Sequence, residues 1–416
     1  MRGTRLLPGH QLELLHRGAE FFAALVAEMD RAQHDVRLET YIFHFDPVGQ
    51  RVADALVRAA ARGVHVSLVM DGIGTPEVPA AWRERFAAAG VRWVRFSPLG
   101  RWGLLIPGRW RRLHRKLCVV DAQVAFCGGI NILDDHFQFH HGRQRTPRFD
   151  FAVRVRGPLV QDVHAAMQQF WRRVELTHDL EHLQWQELGR WLRSEAAPAL
   201  AKAALPGSEA PATPVDVPLL GTPVQGADAA LVLRDNLLNR RRIERAYLLA
   251  IGQASEDVVI ANAYFLPGRK IRRALALAVA RGVRVRVLVQ GRYEYFMQYH
   301  AAKPAFAELL RAGVEIHEYR AGFFHAKVAV VDGQWATVGS SNLDPLSLLL
   351  AREANVVVDN APFAQALLRS LDHAMAHDSH RLDAHTLQSR PWLQKTKDWL
   401  AYGLMRLSLF LTGRRY

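Results

Sequence analysis

The sequence predicts an α/β fold built twice, as duplicated halves that form an internal pseudo-dimer with the active site between them. Three observations predict it. Apolar strands alternate with helices in the order that parallel βαβ units require. That pattern recurs in the second half of the chain. A set of five chemically distinctive residues also recurs at matching intervals, in the same place within each copy.

The elements follow in order. The first copy opens on the apolar strand VRLETYIF and the second on VVIANAYF, with aromatic ends at Tyr41 and Tyr264. A helix comes next in each, stopped by a glycine cap at Gly63 and Gly282. A second, continuously apolar strand follows (VHVSLVM, VRVRVLVQ), as expected of a strand buried on both faces. Both copies then run through an Ala-Gly-Val turn (89–91 and 312–314) toward a histidine. Residues 1–195 form the first unit and 229–380 the second. The Pro/Ala/Gly-rich stretch 196–228 reads as a linker, and residues 381–416 have no counterpart in the first half.

Length and composition agree. A chain of 416 residues exceeds what one core usually holds, so two domains are expected. Half the residues are hydrophobic and 23% are charged, which excludes a disordered chain. The excess of 54 Lys+Arg over 40 Asp+Glu, a net +14, points to an anionic partner, either nucleic acid or a membrane surface. Cys118 and Cys127, the two cysteines, lie in apolar runs and read as buried thiols of a reduced compartment. The N-terminus lacks the apolar core of a signal peptide. No stretch reaches the roughly 18–20 apolar residues needed to span a bilayer.

The chemistry concentrates in LHRKLCVVDAQVAFCGGIN and FHAKVAVVDGQWATVGSSN. Aligned, these place His114, Lys116, Asp121, Gly128 and Asn131 against His325, Lys327, Asp332, Gly339 and Asn342. A strand there puts His and Lys on one face, two residues apart. A hairpin turn at Asp-Gly returns the chain so that Asn342 approaches His325. An imidazole can attack phosphorus and carry a covalent phosphohistidine. Lysine and asparagine can hold the non-bridging oxygens. A second imidazole can protonate the leaving alcohol and deprotonate the incoming one. One His-x-Lys carries no information, whereas five matched positions occurring twice do. Asp121 and Asp332 are placed in the catalytic set with the histidines and lysines, although turn carboxylates that cap backbone N–H groups are an almost equal reading.

These two motifs resemble the duplicated HKD motifs of the phospholipase D superfamily. Within it, LETYIF (38–43), FDFAVRVRGPLV (149–160), GSSNLDPLS (339–347), REANVVV (352–358) and the hydrophobic-basic C-terminus are most similar to bacterial cardiolipin synthases. The resemblance implies a two-step phosphatidyl transfer that needs no metal or other cofactor. His114 and His325 would be nucleophile and acid/base, in that order. Lys116, Lys327, Asn131 and Asn342 would bind phosphate. Asp150 and Glu353 occupy the places of the downstream carboxylates that orient each histidine. It further implies phosphatidylglycerol and a phosphatidyl donor as substrates, and a peripheral place on the cytoplasmic face of the bacterial cell membrane. A phospholipase D-type hydrolase, another phosphatidyltransferase and a nuclease are the competing activities. The first copy departs from the pattern: it reads Gly-Gly-Ile-Asn where Gly-Ser-x-Asn is usual, so any role of Ser340 is one-sided.

Two segments suit a membrane better than nucleic acid. Residues 99–112, LGRWGLLIPGRWRR, interleave Trp102 and Trp110 with arginines just ahead of His114. A core strand flanked by solvated arginines is the competing reading. The C-terminus repeats Trp392, Trp399, Leu400, Leu404, Leu407 and Leu411 at helical spacing among lysines and arginines. A helix packed on the protein's own core competes there. His136, His140 and His141 read as a solvated loop, since no acidic or cysteine spacing makes them a metal site.

Overall fold

In a computed structural model the protein is described at residues 5–75, 77–98, 107–139, 141–192, 222–235, 239–292, 296–344, 351–383 and 392–411. The first half runs β1 (Leu7–His16), α1 (Arg17–Arg31), β2 (Asp35–Thr40), α2 (Pro47–Ala61), β3 (His65–Asp71), α3 (Ala80–Ala89) and β4 (Arg92–Phe96). It continues through β5 (Arg112–Leu113), β6 (Lys116–Val120), β7 (Val124–Gly128), the small hairpin β8 (Phe137–Gln138) and β9 (Gly142–Arg143), then β10 (Phe151–Arg156) and α4 (Leu159–Leu192). The second half runs β11 (Val224–Arg234), α5 (Arg242–Gln253), β12 (Asp257–Asn262), α6 (Arg269–Ala280), β13 (Arg284–Gln290), α7 (Phe296–Arg311) and β14 (Glu315–Tyr319). It closes with β15 (Lys327–Val331), β16 (Trp335–Gly339), β17 (Ala351–Asp359), α8 (Ala361–His377), β18 (Ser379–Arg381) and α9 (Trp392–Leu411).

The duplication is visible in the strand order. One path runs β18-β14-β13-β12-β15-β16-β17-β11-β1-β10-β7-β6-β2-β3-β4. Apart from the edge strand β18 it is symmetric about the β11–β1 pair. In each half three strands are parallel (β2, β3, β4 and β12, β13, β14), as the βαβ pattern requires. The motif strands then join antiparallel (β6 to β2, β15 to β12). Helix ends follow their residues. Asp46 caps α2 by accepting from the N–H of Val48 and Gly49, with Pro47 at the first turn. Gly63 and Gly282 adopt φ of 88° and 91° just past their helices.

Two expectations are corrected. The linker does not extend to residue 228: β11 starts at Val224 and pairs with both β1 and β17. Nor does each half close its own core. Leu12, Cys127, Phe151 and Val155 of the first half share one buried cluster with Val328, Val338, Ala354 and Val356 of the second. Separate clusters under α1–α2 and under α5–α6 complete the outer layers. The shared core holds the two motifs against each other.

Candidate active site

Each motif is a tight hairpin with three residues between its paired strand ends, Asp121–Gln123 and Asp332–Gln334. β6 returns into β7 at Asp121-Ala122 (φ 50° and 51°), and β15 into β16 at Asp332-Gly333 (φ 50° and 60°). Positive φ at both residues of each pair is the turn that matches strand twist. Lys116 and Lys327 begin β6 and β15, and the histidines sit two residues upstream.

Asp121 and Asp332 lie at the turn ends, away from the histidines. Asp121 accepts from the backbone N–H of Gln33, His34 and Asp35, at 2.8–2.9 Å. Asp332 does the same for Ser255, Glu256 and Asp257. Those N–H groups hold both carboxyls below their usual range although partial burial works the other way. This geometry contradicts a catalytic placement for either aspartate. They tie the hairpin to the start of β2 and of β12.

The histidines meet at the opposite end, and their supports cross between halves. The N–H of His114 donates to Arg352 O (3.0 Å), and that of His325 to Phe149 O (2.9 Å). His114 Nδ1 lies 3.1 Å from Glu353 Oε2, and His325 Nδ1 lies 2.6 Å from Asp150 Oδ2. Each histidine is therefore oriented by a carboxylate of the other half, where the expectation drawn from order along the chain paired each with its own. Imidazole tips stay 16% and 18% exposed above fully buried carboxylates. With Nδ1 engaged, Nε2 is the nitrogen that faces the site.

Each lysine lies beside its own histidine. Lys116 Nζ donates to His114 O (2.6 Å), and Lys327 Nζ to His325 O. Asn131 and Asn342 are buried where the hairpins return. Asn131 Oδ1 accepts from Ile42 N (3.2 Å), which fixes the amide beside Tyr41, whose ring centroid lies 4.9 Å from that of His114 with the planes tilted at 56°. Burial brings the Lys116 ammonium down to about 7, against the pull of Glu353. A phosphate monoanion or diester arriving there would restore its charge.

The two pairs differ. Burial alone would raise the Glu353 carboxyl, but His114, Lys116 and Ser340 outweigh it and hold it below the usual range. Ser340 Oγ donates to Glu353 Oε2 (2.5 Å) and accepts from Ala354 N (3.0 Å). Burial also pulls the His114 imidazole down, so the pair is a neutral ring on a fixed anion. Burial pushes Asp150 up to about 7, despite Lys327 nearby. Burial, with Lys327, Arg148 and Lys116 close by, holds His325 well down. The Asp150 carboxyl is thus raised toward neutral pH while the imidazole it holds is pushed down. Gly129 takes the place of Ser340 here, and a Cβ at that position would stand 2.3 Å from Asp150 Oδ1.

Sequence reasoning missed several supports. Arg115 forms a buried ion pair with Glu39 beside His114, signalled only by charges inside apolar runs. Asp71 binds Arg112 (3.1 Å) and the N–H of Leu113 (2.8 Å), which fixes the approach to His114. Arg112 is thereby turned inward, away from lipid phosphates. Trp110 is half-buried, and Trp102 lies outside the described residues. His136 Nδ1 bonds Gln144 O (3.1 Å) at the β8–β9 hairpin, whereas His140 is outside the described residues. At the C-terminus Trp392 and Trp399 are 73% and 63% exposed on α9, whose Asp398 and Ala401 are buried. The helix packs on α7, and His300 Nδ1 meets Asp398 Oδ1 at 2.6 Å. Among the described residues no helix is long and apolar enough to cross a membrane.

Two imidazoles, each with a buried carboxylate behind it and a lysine beside it, form a site suited to phosphoryl-transfer chemistry. Known proteins narrow this. The family model described as "Cardiolipin synthase, PLD-like domain" matches residues 25–171 and 247–375. Cardiolipin synthase B of Shigella flexneri is 36% identical over 407 residues, which span 97% of this chain and 90% of the relative. Cardiolipin synthase of Geobacillus thermodenitrificans is 31% identical over 386 residues, 92% of this chain and 69% of the relative. Phosphatidylserine synthase of Haemophilus influenzae shares the fold at a TM-score of 0.63 and 14% identity, covering 97% of this chain and 95% of that one. The chain belongs to the cardiolipin synthase family of the phospholipase D superfamily.

Proposed function

We propose that the protein transfers a phosphatidyl group to the headgroup hydroxyl of phosphatidylglycerol, forming cardiolipin, with His114 as nucleophile and His325 as acid/base. The crossed pairing, with Ser340 Oγ bonded to the Glu353 carboxylate behind His114 and only Gly129 at the matching place beside Asp150 behind His325, is the observation that carries this order. Lys116, Lys327, Asn131 and Asn342 bind the non-bridging oxygens of the donor. His114 Nε2 attacks phosphorus, a P–N bond forms, and the P–O bond to the leaving alcohol breaks. That alcohol takes its proton from His325. The acceptor hydroxyl then gives its proton to His325 and attacks phosphorus. The P–N bond breaks, and both imidazoles return to their starting state.

Contact with an anionic membrane surface is supported by the exposed Trp392, Trp399, Leu400 and Leu404 on α9 and by the net charge of +14. The whole reading is tested by incubating the protein with vesicles of phosphatidylglycerol alone and measuring products by lipid mass spectrometry. Cardiolipin and free glycerol in equal amounts are expected. Phosphatidic acid with no cardiolipin would identify a hydrolase instead.

A further inference from the structure

The halves differ between the motif asparagine and the carboxylate that follows it. In the first half the β8–β9 hairpin fills part of that interval, and among the described residues the second half has no such hairpin. It forms a two-stranded sheet of its own, turned at Gly142 with φ of 64°. Its root is polar and buried. The Arg148 guanidinium donates to Phe137 O (2.7 Å) and to Gln138 Oε1 (2.8 Å), and Gln144 N donates to His136 O (2.6 Å). Its sides lean on both halves. The Phe137 ring stacks on His44 at 5.2 Å, in the chain that leaves Tyr41 beside His114. The His141 ring lies 5.2 Å from Phe323, two residues before His325. Gln144 Oε1 accepts from Arg292 (3.2 Å), and Thr146 Oγ1 donates to Ala321 O (2.7 Å). The hairpin thus crosses the seam between the halves, at the end of the sheet where both histidines lie.

This rigid root carries an apolar tip. Phe139 meets His44 and Phe137 with part of its ring, yet it is 49% exposed. Ile73, 40% exposed just past β3, adds an apolar group at the same end of the sheet. Arg143 and Arg145 stand exposed beside the tip, and neither forms an ion pair among the described residues. We propose that the β8–β9 tip is a second membrane contact: Phe139 enters the headgroup boundary of an anionic bilayer, and Arg143 and Arg145 meet lipid phosphates. An apolar tip with cationic flanks suits that boundary. The inference deepens the membrane reading of α9 and rests on phospholipids being the substrates. One contact at α9, packed on α7 of the second half, leaves the molecule free to pivot. A second contact across the seam fixes its face, so that both histidines open toward the lipid they act on.

The test uses the full chain with Phe139→Cys, labelled with a polarity-sensitive fluorophore. The native Cys118 and Cys127 are buried and escape the label. A label at Ala61→Cys, exposed at the C-terminal end of α2 and at the opposite end of the sheet, is the control. On vesicles of phosphatidylglycerol and phosphatidylcholine the label at 139 should shift to the blue and be quenched by lipids spin-labelled near the headgroup, while the label at 61 stays unchanged. Phe139→Ser should raise the vesicle lipid needed for half-maximal turnover about 10-fold, the scale of one aromatic side chain leaving an apolar phase. Its turnover of short-chain phosphatidylglycerol below the critical micelle concentration should stay within about 2-fold. Arg143→Gln and Arg145→Gln should each weaken vesicle binding about 5-fold at low salt. A label at 139 that stays in water on vesicles that have bound the protein would overturn the hairpin contact and leave α9 standing. Equal loss by Phe139→Ser on vesicles and on monomeric lipid would overturn it too, by assigning the ring to the build of the site. A protein that binds no vesicles at all would overturn both contacts.

Discussion

The two halves carry the same motif at the same spacing, yet their histidines are held differently. His114 rests on Glu353, which Ser340 locks through a hydroxyl, while His325 rests on Asp150, against which Gly129 leaves no room for a side chain. A longer carboxylate with a hydrogen-bond donor behind it stays ionised. The carboxyl of a shorter one in a dry, crowded place is pushed up to about 7. Duplication thus supplies two equal imidazoles, and small residues behind them divide the labour: a ring with a free lone pair on one side and a proton reservoir on the other.

Several variants would break that division. His114→Ala and His325→Ala should each cost the most, about 10²–10⁴-fold or more in kcat, measured as cardiolipin formed per minute. Gly129→Ala comes next. Its Cβ must displace the Asp150 carboxyl, so turnover with natural lipids should fall by about 10²-fold while the protein still melts cooperatively. Wild-type activity in that variant would show that Asp150 does not position His325. Ser340→Ala removes one hydrogen bond to a charged group, worth about 1.5–3 kcal/mol, and should slow formation of the covalent intermediate about 10–100-fold. Slowing only its breakdown would contradict the assignment. Asp121→Asn and Asp332→Asn should be the mildest. They lower thermal stability by about 1 kcal/mol each and leave kcat within about 2-fold, because both carboxylates hold backbone N–H groups at the turns. A large drop in kcat at unchanged stability would return these aspartates to the catalytic list.

The pH dependence sharpens the same contrast. The carboxyl raised to about 7 keeps the acid proton available below that pH and loses it as pH rises through about 7. His114, held below its ordinary value, remains neutral and nucleophilic as pH falls through 6.5. Loss of the Lys116 charge near 7 weakens all substrates alike. Phosphatidyl-enzyme formation from a poor leaving group should therefore drop above about pH 7 more steeply than from p-nitrophenol, which needs no proton. Parallel profiles for the two leaving groups would rule out the acid role.

Local pattern made much of this legible. The strand-helix repeat, the glycine caps at Gly63 and Gly282, and the His, Lys and Asn positions all follow from spacing over a few residues. The crossing of Asp150 and Glu353 does not, because it depends on how the halves assemble around β1 and β11. One trace was present: Asp150 lies further beyond Asn131 than Glu353 lies beyond Asn342, and the β8–β9 hairpin fills part of that interval. The start of β11 was hidden by its composition. Val224-Gln-Gly-Ala-Asp-Ala-Ala continues the small-residue character of the linker, and Gly226 takes φ of 68° inside the strand, where β1 pairs with shifted register. Asp121 and Asp332 show the opposite error. A motif letter suggested chemistry where the fold uses a turn.

The order of the two histidines is tested most directly by trapping the intermediate. Protein mixed with a phosphatidyl donor bearing a good leaving group, quenched at alkaline pH and digested, should show by mass spectrometry one phosphatidyl adduct, on His114. It should accumulate in His325→Ala and be absent from His114→Ala. An adduct on His325, or one that persists in His114→Ala, would contradict the assignment and reverse the roles of the two halves.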